Sequence, residues 1–323
     1  MRDLDIFLKL REWLQQRENV WLCTVLGTWG SSPRPVGSLL ACNTRADFIG
    51  SLSGGCVEED LLARIANGEF SSPVVRVRYG ASAEEAARLR LPCGGILDVA
   101  VEKIPFSAAV AHAVDTIVAL LSLRQRTSLQ RDFVADQWWV ENPLPRQPAL
   151  QFETGSDGQL LSLRQTLGPQ YRLLLIGISE VSRAVAQMAL LLDYEILVCD
   201  PRPEARCRWD IAGVTVLSAM PDDAVRQYGD DECCAILALT HDPRIDDMGL
   251  MEAFATRAFY IGAMGSQRTS DNRRERLLTL DVTAENLRRL HAPIGLDTGS
   301  KTPAEIAVSV LAQLTAVRSG KIS

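Results

Sequence analysis

Two short stretches set a cysteine beside paired glycines: "SGGCVEED" at residues 53–60 and "PCGG" at residues 92–95. The thiolate is the form of cysteine that attacks electrophiles and binds soft metals, and a helix N-terminus favours it. Cys56 falls where an acidic run begins, so it is expected in the first turn of a helix. Gly54 and Gly55 before it would let a ligand approach the backbone closely. Glu58, Glu59 and Asp60 occupy the same turn and would repel phosphate. A small buried cysteine at a well-made helix start accounts for these residues equally well. Cys93, with Gly94 after it, lies in a turn that feeds a strand. Together the two cysteines could supply a pair of soft sulfur ligands, or a nucleophile and its partner. A third element is "GSSPRPVGS", which fixes Arg34 between Pro33 and Pro35. Proline restricts its own φ and the residue before it, so Arg34 stands on a stiff, extended loop suited to a phosphate or carboxylate. A solvated turn with a charged tip is the alternative.

The second half of the chain holds polar loops at the ends of apolar runs. "LIGISEVSRAVAQ" has the setting of a dinucleotide loop, but its three glycine positions are Gly177, Ser179 and Ser182. Serine at the second position would hinder a pyrophosphate, and Glu180 adds negative charge there. Asp200 ends the next strand, where a ribose-binding acid belongs, so the fold signal survives and the NAD signal does not. "LTHD" places Thr240, His241 and Asp242 at one strand end. "YIGAMGSQRT" places Gly262, Gly265, Ser266 and Arg268 in a glycine loop, followed by Arg273, Arg274 and Arg276. "GLDTGSKTPAEIA" places Asp297, Gly299, Ser300 and Lys301 before a helix that has Thr302 as N-cap and Glu305 closing a capping box. In a doubly wound sheet, ligands sit at the carboxyl ends of strands, so these loops outline a cleft for a polar or phosphorylated molecule. His112, His241 and His291 are the only histidines, which gives a zinc site little support.

The elements that must position these residues follow from periodicity. At 323 residues, two domains are expected. Leu4, Phe7, Leu8, Arg11 and Leu14 recur at helical spacing. Short strands such as "VWLCTVLGTWG" and "ILDVAVEKI" alternate with helices to about residue 104, and a helix spans 107–123. This gives a smaller N-terminal α+β domain over 1–125. From 126 to 170 the pattern fades into a linker that could form one hairpin. From Tyr171 onward, strands alternate with helices, which predicts a Rossmann-like, doubly wound parallel sheet over 171–323. The net charge of −6 offers no general attraction to nucleic acid or anionic membrane. The first residues lack a signal-peptide core, and the apolar run at 106–123 is interrupted by His112 and Asp115, so no membrane span is expected. Eight cysteines without a CxxC pair point to a reducing cytoplasm. Cys23, Cys42, Cys199, Cys207, Cys233 and Cys234 read mostly as core.

In order along the chain, "GSSPRPVGS", "SGGCVEED", "PCGG", "LALTHDP", "FYIGAMGS" and "PIGLDTGSKTPAEIAVSVLA" resemble the XdhC/CoxI family, accessory proteins of the molybdenum hydroxylases. The resemblance covers most of the chain, and residues 125–170 least. It implies a small N-terminal domain joined to a Rossmann-like domain, often in a homodimer. It also implies a chaperone, not an enzyme, that binds molybdenum cofactor and protects it during sulfuration by a cysteine desulfurase. The cofactor, in its mononucleotide or cytosine dinucleotide form, would then pass to an apo-hydroxylase client. Cys56 and Cys93 look like the family's cysteines proposed to contact the cofactor, and Arg34 matches the arginine of its Pro-Arg loop. The loops at 262–268 and 295–301 could hold a dinucleotide tail. Where family members commonly carry a "GAGHV"-type loop, this chain has Gly177, Ile178, Ser179, Glu180 and Val181, which puts nucleotide binding there in doubt. An NAD(P)-dependent oxidoreductase and a ligand-free assembly factor are the competing expectations.

Overall fold

The computed structural model describes residues 3–29, 34–81, 95–143, 148–240 and 242–322. The chain divides into two units after Pro169.

The first unit opens with α1 (Asp3–Gln15), then β1 (Val20–Trp29), β2 (Leu39–Asn43), β3 (Phe48–Gly50), α2 (Cys56–Ala66), β4 (Val74–Tyr79), β5 (Ile96–Lys103) and α3 (Ala108–Ser122). Its five strands pair antiparallel in the order β3-β2-β1-β5-β4. Alternation along β1 assigns the faces. Val20 and Leu22 pack with α1 and α3, whereas Trp21, Cys23 and Val25 pack with Val57, Leu61 and Ile65 of α2. Helix α1 buries Ile6, Phe7, Leu10 and Trp13, and Leu8, expected on the apolar stripe, lies exposed.

Residues 127–167 are not a linker. They form β6 (Thr127–Asp132), β7 (Gln137–Glu141), β8 (Leu150–Thr154) and β9 (Leu160–Leu167), an antiparallel sheet in the order β7-β6-β9-β8 within the first unit. Strand β6 reads "TSLQRD", too polar for a periodicity signal, yet it is almost wholly buried. Its polar groups find partners instead of water. Arg131, 1% exposed, donates from Nη1 to Glu102 Oε2 of β5 at 3.1 Å and from Nη2 to Gln165 Oε1 of β9 at 2.7 Å. Trp138 Nε1 donates to the other Glu102 oxygen at 2.7 Å. Burial pushes the Glu102 carboxyl up, and Arg131 and Trp138 oppose that shift.

The second unit carries β10 (Arg172–Ile176), α4 (Glu180–Leu191), β11 (Glu195–Cys199), α5 (Pro203–Cys207), β12 (Val214–Leu217), α6 (Pro221–Tyr228), β13 (Cys234–Ala238), α7 (Pro243–Ala253), β14 (Tyr260–Ala263), α8 (Gln267–Thr279), α9 (Ala284–Leu287), β15 (Leu290–His291) and α10 (Pro303–Arg318). The six strands run parallel in the order β12-β11-β10-β13-β14-β15. Leu174 and Ile176 face a core shared with α6, α7 and α8, and Leu173 and Leu175 face one shared with α4 and α10. This is the expected doubly wound sheet, with its order reversing between β10 and β13. Residues 293–297 belong to the loop after β15. Among the described residues, no helix is long and apolar enough to cross a membrane.

Removing one member of the buried Arg131–Glu102 pair leaves an uncompensated charge, a loss of about 3–5 kcal/mol. Glu102→Leu is therefore expected to destabilise the first unit by that amount in urea unfolding. The Glu102→Leu/Arg131→Met double variant should lose less than the single one.

Candidate functional site

The loop before α2 is built around one carboxylate. Glu58, 4% exposed, turns back over the residues that precede its helix. Its Oε1 accepts the amides of Leu52, Ser53 and Gly54 at 2.8, 2.9 and 3.0 Å. Its Oε2 accepts the Gly55 amide at 3.0 Å and the Ser53 hydroxyl. Burial works to raise the Glu58 pKa, but the Ser53 hydroxyl and the amides outweigh it and hold the carboxyl down to about 2. Gly54 has φ of 92°, the left-handed region that favours glycine, so the chain can fold over this anion. Glu58 therefore does not guard the loop against anions, as its charge alone suggested. It is the anion that the loop binds.

Ser51 joins this loop to Arg34. Its hydroxyl donates to Glu58 Oε1 at 2.9 Å and accepts from Arg34 Nε at 3.2 Å and from the Gly54 amide at 3.1 Å. The far side of the Arg34 loop is held at Gly37, whose carbonyl accepts from Gln165 Nε2 at 2.8 Å. Gln165 in turn receives Arg131, so the buried ion pair of the fold supports the arginine loop. Cys56 opens α2 as expected. Cys93, Gly94 and His241 lie outside the described residues.

At the switch point of the parallel sheet, the dinucleotide loop is closed by its own groups. The Ile178 amide donates to Asp200 Oδ2 at 2.8 Å, and Arg202 grips the same carboxylate through Nε at 2.9 Å and Nη2 at 2.7 Å. Burial would raise Asp200, but Arg202 and the Ile178 amide bring its carboxyl below the ordinary range. The Ser179 amide donates to Ser182 Oγ at 2.7 Å, and the Ser182 amide to Ser179 Oγ at 3.2 Å. A Cβ at Gly177 would strike Thr240 Cγ2, which explains that glycine by packing. Thr240 is itself tied to buried Asp246, which accepts its amide at 3.1 Å, its hydroxyl at 2.8 Å and Arg273 Nη2 at 2.7 Å. Burial pushes the Asp246 carboxyl up to about 6 against those bonds.

The later loops enclose a cleft of about 540 Å³ between residues 264–267 and 293–300. Gly265 and Asp297 line it. Gly262 does not: a Cβ there would strike Ile294 and Tyr260, so it is a packing glycine in β14. Ser266 caps α8, accepting the Thr269 amide at 3.2 Å. Arg268 is exposed and is not among the residues of the cleft. The arginines after it serve structure. Arg273 bonds Asp246 and the Met264 carbonyl, Arg274 the carbonyls of Leu290 and Ala292, and Arg276 the carboxylate of Asp247. Among the described residues, no group of three or more His, Cys, Asp or Glu side chains could hold a metal ion. Of the cysteines read as core, Cys207 is exposed and the others are buried.

Sequence reasoning named Arg34 and the Cys56 loop and misjudged the part Glu58 plays in it, and it did not single out Ser51 or Asp246. The spacing Gly55-x-x-Glu58 is that of a capping box and could have disclosed Glu58. Nothing local marks Asp246.

Comparison with known proteins agrees over both units. The model of the XdhC Rossmann domain matches residues 173–314, and that of the XdhC and CoxI family matches residues 13–80. A Bacillus subtilis protein, named as one of the probable subunits of xanthine dehydrogenase, is 26% identical over 321 residues, covering 94% of this chain and 95% of its own. The Escherichia coli molybdenum cofactor insertion chaperone PaoD is 25% identical over 307 residues, covering 95% of this chain and 86% of its own. A crystal structure from Bacillus halodurans, described as a xanthine dehydrogenase, shares the fold with a TM-score of 0.71 at 20% identity, over 100% of this chain and 97% of that one.

Two outcomes follow from the carboxylates. Glu58→Ala should cost at least about 2 kcal/mol, since charge-assisted bonds are lost together. Hydrogen exchange should then show the amides of 52–55 losing protection while β1 keeps its own. For Asp200, the depressed pKa means that its contribution to stability is present at neutral pH and is lost only as pH falls below the ordinary carboxylate range. Wild type should thus be more stable than Asp200→Asn at pH 7, with thermal unfolding curves converging in strong acid.

Proposed function

Because this chain belongs to the XdhC and CoxI family, we propose that it is a chaperone that carries molybdenum cofactor as cargo and delivers it to an apo-molybdoenzyme of the xanthine dehydrogenase or aldehyde oxidoreductase type. Its partners are that client and a cysteine desulfurase, which sulfurates the cofactor while the chaperone shields it. The observation that carries the proposal is the meeting at Ser51 Oγ of the arginine loop with the loop that leads into Cys56. Arg34 offers a cation to an anionic group of the cargo, and Cys56, with Cys93, offers thiolate to a soft molybdenum–dithiolene centre. Gly54 and Gly55 leave the backbone before Cys56 without side chains of its own, and Gly94 follows Cys93 in the sequence. A role in binding and transfer, without NAD, is supported by the switch-point loop, where serines stand at the second and third glycine positions and the Ile178 amide and Arg202 already engage Asp200.

The test is anaerobic mixing of the full chain with molybdenum cofactor, removal of free ligand, and assay of retained molybdenum and pterin. Retention near one cofactor per chain is expected for wild type. Cys56→Ser and Cys93→Ser should each weaken it by about tenfold or more, equivalent to ~1.4 kcal/mol. Arg34→Gln should weaken it without altering the melting temperature. No retention by folded wild-type protein would exclude carriage.

A further inference from the structure

We infer that strand β8 is a contact surface for a second copy of this chain, the two copies pairing antiparallel through Leu150–Thr154 so that their four-stranded sheets join edge to edge. The sheet order β7-β6-β9-β8 gives β8 a neighbour on one side only. The Ala149 carbonyl accepts the Thr166 amide, and the Gly155 amide donates to the Gln159 carbonyl, both at 2.9 Å. Backbone groups alternate in direction along a strand, so Gln151 and Glu153 also turn theirs toward β9. Leu150, Phe152 and Thr154 therefore direct their amides and carbonyls to the open side, where they bond no other described residue. Residues 151–154 are all exposed.

An open edge accepts another strand unless proline, charge or a cover blunts it. Register then decides which strand fits, because outward groups must face outward groups and close side-chain pairs must not share a charge. With a two-fold axis at Phe152, Leu150 faces Thr154 of the second copy, Phe152 faces its counterpart, and about six main-chain hydrogen bonds form. Gln151 stands opposite Glu153 of the second copy in a close pair, an amide donor against a carboxylate. Moving the axis to Glu153 would set two carboxylates against each other. Moving it to Gln151 would bring Pro148, which has no amide to donate, opposite Thr154. The strand is thus complementary to itself in one register. Strand β4, the open edge of the other sheet, is not: its outward residues are Val74, Arg76 and Arg78, and an axis at Arg76 opposes two guanidinium groups.

Phe152 anchors the pairing. Its ring is 36% exposed and lies 5.6 Å from the Arg76 guanidinium of the same copy. The two-fold axis sets the second Phe152 beside it, and facing aromatics are among the cross-strand pairs that stabilise a sheet. The contact is small, since each copy contributes one short strand. Interfaces that bury less than about 1,200 Å² belong to weak complexes, so the dimer is expected to form at micromolar concentrations and above.

The test is sedimentation velocity on the full chain over roughly 1–500 µM, which spans micromolar affinity. Wild type should show a monomer–dimer equilibrium. Hydrogen exchange should slow at the amides of Leu150, Phe152 and Thr154 as concentration rises, while those of Gln151 and Glu153, bonded to β9, stay as they were. Gln151→Glu sets like charges opposite each other twice per dimer and should weaken it by about two- to thirtyfold, and Gln151→Lys should tighten it by a similar factor. The double variant Gln151→Glu/Glu153→Gln restores the pair and should return the wild-type dissociation constant. Phe152→Asp should be monomeric with an unchanged circular dichroism spectrum. A monomer throughout the range, a dimer indifferent to the Gln151 variants, or a dimer whose protection appears away from β8 would each overturn the inference.

Discussion

A backbone amide that leaves water must find an acceptor, and in this chain the acceptor is repeatedly a carboxylate from the helix that the amide precedes. Glu58 of α2 takes the amides of residues 52–55, Glu305 of α10 takes those of Lys301 and Thr302, and Asp246 of α7 takes that of Thr240. Asp200 does the same across the sheet for Ile178. Each of these loops is glycine-bearing or polar, lies before a helix, and would otherwise be an anion site. The protein fills the anion position itself.

This arrangement shapes the recognition available to a ligand. With these amides engaged, the contacts proposed for a ligand of the first unit fall to side chains, those of Arg34 and Cys56. The loops are also stiffened, since releasing any one of them would strand several donors at once. A loop fixed in this way loses less ordering entropy on binding a ligand than one that must fold around it.

Much of the fold was legible in the sequence, and for identifiable reasons. The alternation of "VWLCTVL" and the apolar runs "RLLLI" and "CAILA" name their strands because burial there is a property of the residues themselves. The capping box of Thr302 and Glu305 was readable from spacing alone. The second sheet was not, because Thr127, Ser128, Gln130 and Arg131 are buried by virtue of partners far along the chain. The same limit applied at the candidate site. Gly262 and Gly265 look alike in sequence, yet one is a packing glycine and the other lines a cleft. A glutamate whose charge suggested repulsion proved to organise its loop. Type and spacing expose local geometry, whereas the partner of a buried charge is set by topology.

The Arg131 network has a consequence for how the protein can be divided. Glu102 lies in the first sheet, Arg131 and Gln165 in the second, and Gly37 beside the arginine loop. A fragment ending near residue 125, where the apolar pattern fades, would keep Glu102 but lack Arg131 and Trp138, and would leave the Gly37 carbonyl without Gln165. The smallest autonomous module bearing both Arg34 and Cys56 therefore runs to Pro169. A cut that keeps this network intact falls after Pro169, not at the start of the polar sheet.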